Sequence, residues 1–345
     1  SMNMIKFGFI SLGLICGSIA LAIRQICPDA RIVACARRQS TLDEALAAGA
    51  IDEGTTEIDG LFSDCDMIFL CAPVAVNNKF LEQLRPILSE KTIITDVGSV
   101  KGSIHEAVSR LGLDSHFIGG HPMAGSEKTG FSNASPILLE NAYYILTPTE
   151  TVAREAVAEY YSLVKKMGAI PLILNSQEHD YVTGTISHLP HIIASSLVNF
   201  VRDMDTSDEL MKNLAAGGFK DITRIASSSP TMWQHICLKN KENISQILDA
   251  YIHLLRHARN MIEQEDEQGI YDMFDTSRNY RNSIPVSSAG PIKKAYEVYC
   301  DIIDETGGIA AIATILASNG LNLKNIGIIH NREFEEGVLR IEFYD

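Results

Sequence analysis

Residues 119–130, GGHPMAGSEKTG, put a histidine, a serine, a glutamate, a lysine and four glycines into twelve positions with little apolar material. Glycine is costly inside a helix or a strand, and polar groups there need partners or water. The run therefore reads as a loop that brings backbone and reactive side chains close to a ligand. His121 is the candidate acid or base, because an imidazole titrates near neutral pH. His121-Pro122 would equally serve as a structured turn, and composition leaves both open. Three further clusters carry chemistry-bearing types. VGSVK at 97–101 offers Ser99 and Lys101 after an apolar run. SHLPH at 187–191 places His188 and His191 three apart, on one helical face. A metal there would need a third ligand, and neither that nor an HExxH spacing accompanies the pair, so no metal is expected. AAGGFKDITRIASSS at 215–229 mixes glycines with charge. Arg224 is its anion-binding candidate, since a guanidinium matches a carboxylate bidentately; a solvated helix arginine is the plainer alternative.

The elements that must position these residues alternate. Residues 5–10 (IKFGFI) suit a buried parallel strand, SLGLICGS at 11–18 follows at once, 19–26 reads as a helix and 31–36 (RIVACA) as a second strand. Strand, glycine turn, helix, strand is the setting in which a dinucleotide pyrophosphate rests on a helix N-terminus. Of the GxGxxG fingerprint only the middle glycine, Gly13, stands in place, followed by Leu14 and Ile15. Ser11 holds the first position, where a tight turn is needed. Cys16 holds the third, where a small residue permits close helix–strand packing. An ordinary strand–helix turn would fit the same segment. The second strand ends Ala36-Arg37-Arg38, with no acid before Asp43. An acid would bond a ribose 2′-hydroxyl and an arginine a 2′-phosphate, so the dinucleotide is NAD or NADP with a lean to NADP; two solvated arginines are the alternative. Strands at 67–71, 92–96, 143–147 and 169–174 alternate with helices at 78–88 and 151–167. The Ala72-Pro73 turn and Ser99 fall at strand ends, where open α/β sheets bind ligands.

From 175 to about 264 the pattern is helical. Ser176 is the expected N-cap, with Glu178-His179-Asp180 in the first turn, and Pro190 predicts a kink. Residues 244–262 read as a long amphipathic helix, and an all-helical segment of this size beside a nucleotide domain often provides dimer contacts. The segment 276–294 has two prolines and many polar residues and reads as a linker. Residues 295–345 follow as strand (296–304), Gly307-Gly308 turn, helix (309–319) and two strands (323–330, 337–344). That is βαββ, a small α+β unit whose glycine turn could hold a small anion. The expected division is thus 2–174, 175–275, 276–294 and 295–345.

With 345 residues the chain has room for two or three domains. A net charge of −14 with scattered basic residues argues against nucleic-acid or membrane-surface partners. No apolar run is long enough to span a bilayer, and the apolar stretch at 8–22 belongs to the βαβ pattern rather than to a signal peptide. Seven cysteines without CxxC spacing predict reduced thiols in a cytoplasmic protein. Ser1 before Met2 reads as an expression scar.

Taken together, GGHPMAGSEKTG, the VGSVK before it and the SHLPH and GGFKDITRIA after it resemble the prephenate dehydrogenases of tyrosine biosynthesis. The tail resembles an ACT regulatory domain, a ferredoxin-like fold that normally runs βαββαβ; the last helix and strand are missing from this pattern. The resemblance implies a Rossmann-like NAD(P) domain, an entwined helical dimerisation domain in a homodimer, and an ACT module with tyrosine as effector. It implies oxidative decarboxylation of prephenate to 4-hydroxyphenylpyruvate. By position, His121 matches the histidine that bonds the substrate ring hydroxyl, and Ser99 a serine that bonds the same hydroxyl or orients that histidine. Arg224 matches the arginine on a substrate carboxylate, His188 and His191 the histidines lining the pocket, and Glu127, beside Ser126, an acid at its mouth. Family members usually read GLGLIGGS where this chain has Ser11 and Cys16.

The residues fit that chemistry on their own terms. Hydride leaves the hydroxyl-bearing carbon only as the hydroxyl proton is shared, which a neutral His121 can accept. Arogenate dehydrogenase differs only in the side chain of its substrate and stays open. A β-hydroxyacid dehydrogenase would use a helical-domain lysine, Lys212 or Lys220, and would leave the HPMAGSE loop unexplained. A non-catalytic dinucleotide sensor would fit the altered glycine fingerprint.

Overall fold

In the computed structural model, which describes residues 4–125, 129–285, 296–301, 307–321, 323–329 and 338–343, the apolar runs near the N-terminus become a five-stranded parallel sheet. Its strands are β1 (Lys6–Ile10), β2 (Arg31–Cys35), β3 (Glu53–Thr55), β4 (Met67–Leu70) and β5 (Ile93–Asp96), in the order β3-β2-β1-β4-β5. Helices α1 (Leu14–Ile26), α2 (Gln39–Ala47), α3 (Val74–Leu84) and α4 (Gly102–Arg110) make the crossovers. The strands are apolar on both faces because both faces are covered. On one side Phe7, Phe9, Ile32 and Phe69 meet Ile19 and Ile23 of α1, buried at a helical spacing. On the other Ile10, Val33, Ile68 and Ile94 meet Leu81, Leu84, Ile104 and Val108 of α3 and α4. Each such side chain contributes about 1.5–3 kcal/mol of burial.

A second sheet, β6 (Ile118–Pro122), β7 (Tyr143–Pro148) and β8 (Ile170–Ile173), is covered by α5 (Arg154–Lys166). A parallel bridge between Ile94 and Phe117 carries β5 over to the start of β6. The expected loop at 119–130 is therefore part strand. Gly119 and Gly120 lie inside β6 because nothing larger fits: a Cβ on Gly120 would stand 2.6 Å from the Asp96 carbonyl oxygen, and one on Gly119 2.2 Å from Thr147 Oγ1. The helix expected from 19 starts at Leu14, because Gly13 is extended and serves as its N-cap.

The helical region opens with a capping box made by Asn175 and Glu178, one residue before the expected cap. Helix α6 (Ser176–Thr183) runs through a π-helical turn, Gly184–His188, into α7 (Leu189–Met204). Pro190 sits in the first turn of α7, and the wide turn before it takes up the bend that proline imposes. Then follow α8 (Leu210–Leu214), α9 (Gly217–Thr223), α10 (Pro230–Lys239), α11 (Lys241–Glu263) and α12 (Glu267–Ser283). Helix α12 occupies the first part of the expected linker, and residues 286–294 lie outside the described ones. Among the described residues no helix is long and apolar enough to cross a membrane.

Residues 291–345 form a separate unit. It carries β9 (Tyr296–Asp301), α13 (Gly308–Ser318), β10 (Leu323–Ile329) and β11 (Val338–Phe343), an antiparallel sheet in the order β10-β11-β9. Leu339, Ile341 and Phe343 bury one face against Ile312 and Leu316 of α13. The βαββ succession is as expected from the sequence.

The cysteines differ from expectation. Cys16 and Cys71 are joined in a disulfide across 55 residues of chain. Spacing could not predict it, because the pair is made by the neighbouring ends of α1 and β4.

Candidate active site

Asp96 ends β5, and the chain turns at once into α4. Lys101, fully buried, donates from Nζ to Asp96 Oδ2 and to the Gly120 carbonyl, each at 2.5 Å. Asp96 also accepts from the Gly120 amide at 3.1 Å and the Gly98 amide at 3.2 Å. A buried ion pair is tolerable only when its other lone pairs and protons are satisfied, and here backbone groups satisfy them. Burial lowers the Lys101 pKa while Asp96 and Asp180 oppose that shift. The pair clamps the middle of β6, one residue before His121.

His121 then meets a residue from the helical region. Asp180 of α6 accepts the Lys101 and Gly102 amides at 2.8 Å each, so its carboxylate caps the start of α4. The same carboxylate accepts His179 Nδ1–H at 2.8 Å. His179 Nε2 is thereby left as an acceptor, and it takes His121 Nδ1–H at 2.7 Å. The carboxylate thus assigns both tautomers: His121 Nε2 keeps its lone pair and has no partner among the described residues. Burial alone would raise the Asp180 carboxyl, but the hydrogen bonds from His179, Lys101 and Gly102 outweigh it and hold the carboxyl below its usual value. Burial, followed by the nearby His179, Lys101 and His188, holds His121 well below the ordinary imidazole value. The result is a neutral imidazole with a fixed lone pair.

His188 and His191 share Trp233. His191 stacks on its ring at 3.8 Å between centroids and donates Nδ1–H to the Ser187 carbonyl; His188 meets the ring edge-on. Asn243 donates to Asn240 Oδ1, which fixes that amide. Asn240 Nδ2 then donates to the Asp180 carbonyl at 2.9 Å and to His188 Nδ1 at 3.0 Å. His188 therefore holds Nδ1 unprotonated, in keeping with a pKa brought down to about 4, chiefly by burial. Among the described residues no His, Cys, Asp and Glu cluster is suited to a metal.

Two cavities meet at Ala72 and Pro73, over the C-terminal ends of the parallel strands. One, of 810 Å³, is lined by Ser11, Leu12, Arg37, Arg38 and Glu57; the other, of 740 Å³, by Gly13, Leu14, Ile15, Cys16, Cys71 and Ser99. The order β3-β2-β1-β4-β5 reverses direction between β1 and β4, and dinucleotides bind at that switch point. The residues fit such a group. No side chain caps the first turn of α1, and a Cβ on Gly13 would meet no protein atom within 4 Å. Ser11 makes the tight turn with φ of 74°, the left-handed conformation that glycine usually supplies.

Residues 19–172 match the family model of the prephenate dehydrogenase nucleotide-binding domain, and residues 175–276 that of the prephenate dehydrogenase dimerization domain. The chain belongs to the prephenate dehydrogenase family. It is 39% identical to a prephenate dehydrogenase of Bacillus subtilis (strain 168) over 347 residues, covering 99% of this chain and 93% of that one. It resembles the crystal structure of a prephenate dehydrogenase from A. aeolicus in complex with hydroxyphenyl propionate and NAD+, with a TM-score of 0.77 and 33% identity, covering 83% of this chain and 100% of that one. Against a Synechocystis arogenate dehydrogenase the TM-score is 0.74 at 31% identity, covering 80% and 99%.

Within this family member the expected residues fall in different places. Ser11, Gly13, Leu14, Ile15, Arg37, Arg38, Ala72, Pro73 and Ser99 line the two cavities of the cleft, and Ser99 makes no hydrogen bond to His121. His191 lines a further cavity, 460 Å³, with Ile225, Ala226 and Trp233, and His188 lies buried beside it. Arg224 is exposed in the turn before Ile225 and pairs with no carboxylate among the described residues. Ser126 and Glu127 lie outside the described residues. The sequence reading missed His179 and Asp180 as site residues, because acids in a first helical turn have a sufficient local explanation and the partner of His179 is 58 residues away.

Proposed function

We propose that this nicotinamide-dependent oxidoreductase converts prephenate to 4-hydroxyphenylpyruvate and carbon dioxide, with His121 as the base. The observation that carries the reading is the Asp180–His179–His121 chain, which presents a neutral imidazole with its Nε2 lone pair free. A bound nicotinamide supplies the hydride acceptor. His121 Nε2 takes the ring-hydroxyl proton as hydride leaves the same carbon. The electrons of the bond to the ring carboxylate then flow through the ring to the new carbonyl oxygen, which takes the proton back from His121 as carbon dioxide departs, and aromaticity makes the step irreversible. The imidazolium that forms on His121 is stabilised through His179 by the Asp180 carboxylate. Arg224 holds a substrate carboxylate. Ser99 at the end of β5 positions the hydroxyl, and His188, His191, Ser126 and Glu127 complete the substrate side.

Arg37 and Arg38 favour NADP at the end of β2, while Glu57 in the same cavity would serve NAD. The apolar residues left exposed on the helical region, Phe200, Leu214, Leu254 and Phe274 among them, support a homodimer formed through this region. The βαββ unit is read as ACT-like, with tyrosine as its effector. The deciding experiment follows absorbance at 340 nm with prephenate and with arogenate, each with NAD and NADP. Turnover of prephenate is expected; a folded protein that turns over arogenate alone, or neither, overturns the reading.

A further inference from the structure

We propose that Cys16 and Cys71 form a dithiol–disulfide site inside the dinucleotide cleft, and that a bound dinucleotide controls access to it. Cys16 lies in the first turn of α1 and Cys71 directly follows β4, so the pair joins the two walls of the switch point between β1 and β4. Their Cα atoms are 6.0 Å apart, a separation a disulfide spans without backbone movement. Both residues line the 740 Å³ cavity with Gly13, Ala72, Pro73 and Ser99. Cys16 is fully buried and Cys71 half-buried, so Cys71 offers the sulfur that a dissolved thiol or disulfide meets first, and it meets it through the cleft. Cys27, Cys35, Cys65 and Cys237 lack this arrangement. Cys35 and Cys65 are buried with thiols pushed up to about 11 and about 12, chiefly by burial, and Cys27 and Cys237 form no bond.

The gating rests on the reading of this cleft as the dinucleotide site; the bond itself does not. A group lying across Gly13 and Ala72 would cover Cys71. Oxidation proceeds by exchange with a small-molecule disulfide. The Cys71 thiolate attacks one of its sulfurs and releases one thiol. The Cys16 thiolate then attacks Cys71 Sγ, closes the bond and releases the second thiol. Two electrons and two protons pass from the protein dithiol to the small disulfide.

The test uses the full chain, reduced with excess dithiol, freed of it, and exposed to glutathione disulfide. Samples are quenched by alkylation, and the peptides bearing Cys16 and Cys71 are followed by mass spectrometry. NAD+ affinity is measured on the same reduced sample by calorimetry. The expected product is the peptide pair cross-linked through Cys16 and Cys71, present in Cys237→Ser and absent in Cys71→Ser. With NAD+ at about ten times its measured Kd, cross-linking should slow by about tenfold, the fraction of clefts left empty. Failure of the cross-link to form, or mixed disulfides on Cys27 or Cys237 instead, overturns the site. An unchanged rate with NAD+ bound overturns the gating. Absence of NAD+ binding overturns the cleft assignment and the gating with it, while the cross-link still decides the dithiol site.

Discussion

His179 Nε2 stands 2.7 Å from His121 Nδ1, and the hydrogen bond between them joins the helical region to the strand that carries His121. The two rings meet edge-on at 4.9 Å between centroids. Because Asp180 holds the other face of His179, removing His179 frees the His121 ring and its tautomer. His121→Asn should lower kcat by roughly a hundredfold or more. His179→Asn should lower it by about tenfold or more with KM little changed, since the lost contact orients the base and does not touch substrate. Steady-state kinetics on variants with native circular dichroism check both; a normal kcat in His179→Asn would remove the relay.

The pH profile carries the same relationship. In the proposed reaction His121 acts as the neutral base, and its pKa is held well below the usual value, first by burial and then by His179, Lys101 and His188. Activity is lost only as pH falls through that depressed value. kcat/KM should therefore stay level from about pH 8 to about pH 6.5 and bend below it. His179→Asn removes one lowering influence and leaves burial in place, so its acid limb should move to higher pH. An unmoved limb would assign it to another group.

Stability should depend on pH through His188. Its pKa is brought to about 4 in the fold, chiefly by burial, whereas a histidine in the unfolded chain titrates near 6.5. Between these values the unfolded chain binds more protons. Stability is then fully present above about pH 6.5 and is lost as pH falls towards 4, levelling below that. His121 contributes with the same sign. His188→Gln keeps an acceptor for Asn240 and does not titrate, so its Tm should fall less than that of the parent between about pH 6.5 and about pH 4.5. Parallel calorimetric scans give the difference, and equal slopes would count against His188.

Arg224 should act on binding. It is exposed and pairs with no carboxylate among the described residues, which leaves the guanidinium available to an anion. Arg224→Ala is expected to raise the KM for prephenate by roughly tenfold or more with kcat within about twofold. A loss confined to kcat would place Arg224 in the chemical step instead.

The parts legible in the sequence were those with local causes. Residues 5–10 and 31–36 read as strands because both faces are buried, and Gly13 stood out as the one fingerprint glycine in place, at the turn where the structure makes it the N-cap of α1. His121 was singled out by its type. What escaped has its cause far along the chain. Gly119 and Gly120 look like loop residues until Asp96 and Thr147 arrive against them. His179 looks like part of a helix start until His121 arrives, and Cys16 looks like a small packing residue until Cys71 arrives. Ser11 was legible as a departure from the glycine pattern, and the structure gives that departure a backbone angle.

Ser11 adopts φ of 74° while its amide donates to the Cys35 carbonyl at 2.7 Å, so the turn is tied to the end of β2 and cannot relax. A residue with a Cβ in this conformation costs about 1–2 kcal/mol, and glycine does not. Glycine also has more unfolded freedom to lose, about 0.5–1 kcal/mol. Ser11→Gly should therefore stabilise by up to about 1 kcal/mol, raising Tm by about 2 °C. Because the turn lines the cleft beside Arg37 and Ala72, dinucleotide affinity should hold or improve. A lower Tm would show that the serine hydroxyl contributes more than the strain costs, and weaker NAD+ binding with a raised Tm would make Ser11 a contact for the cofactor rather than a substitute for glycine.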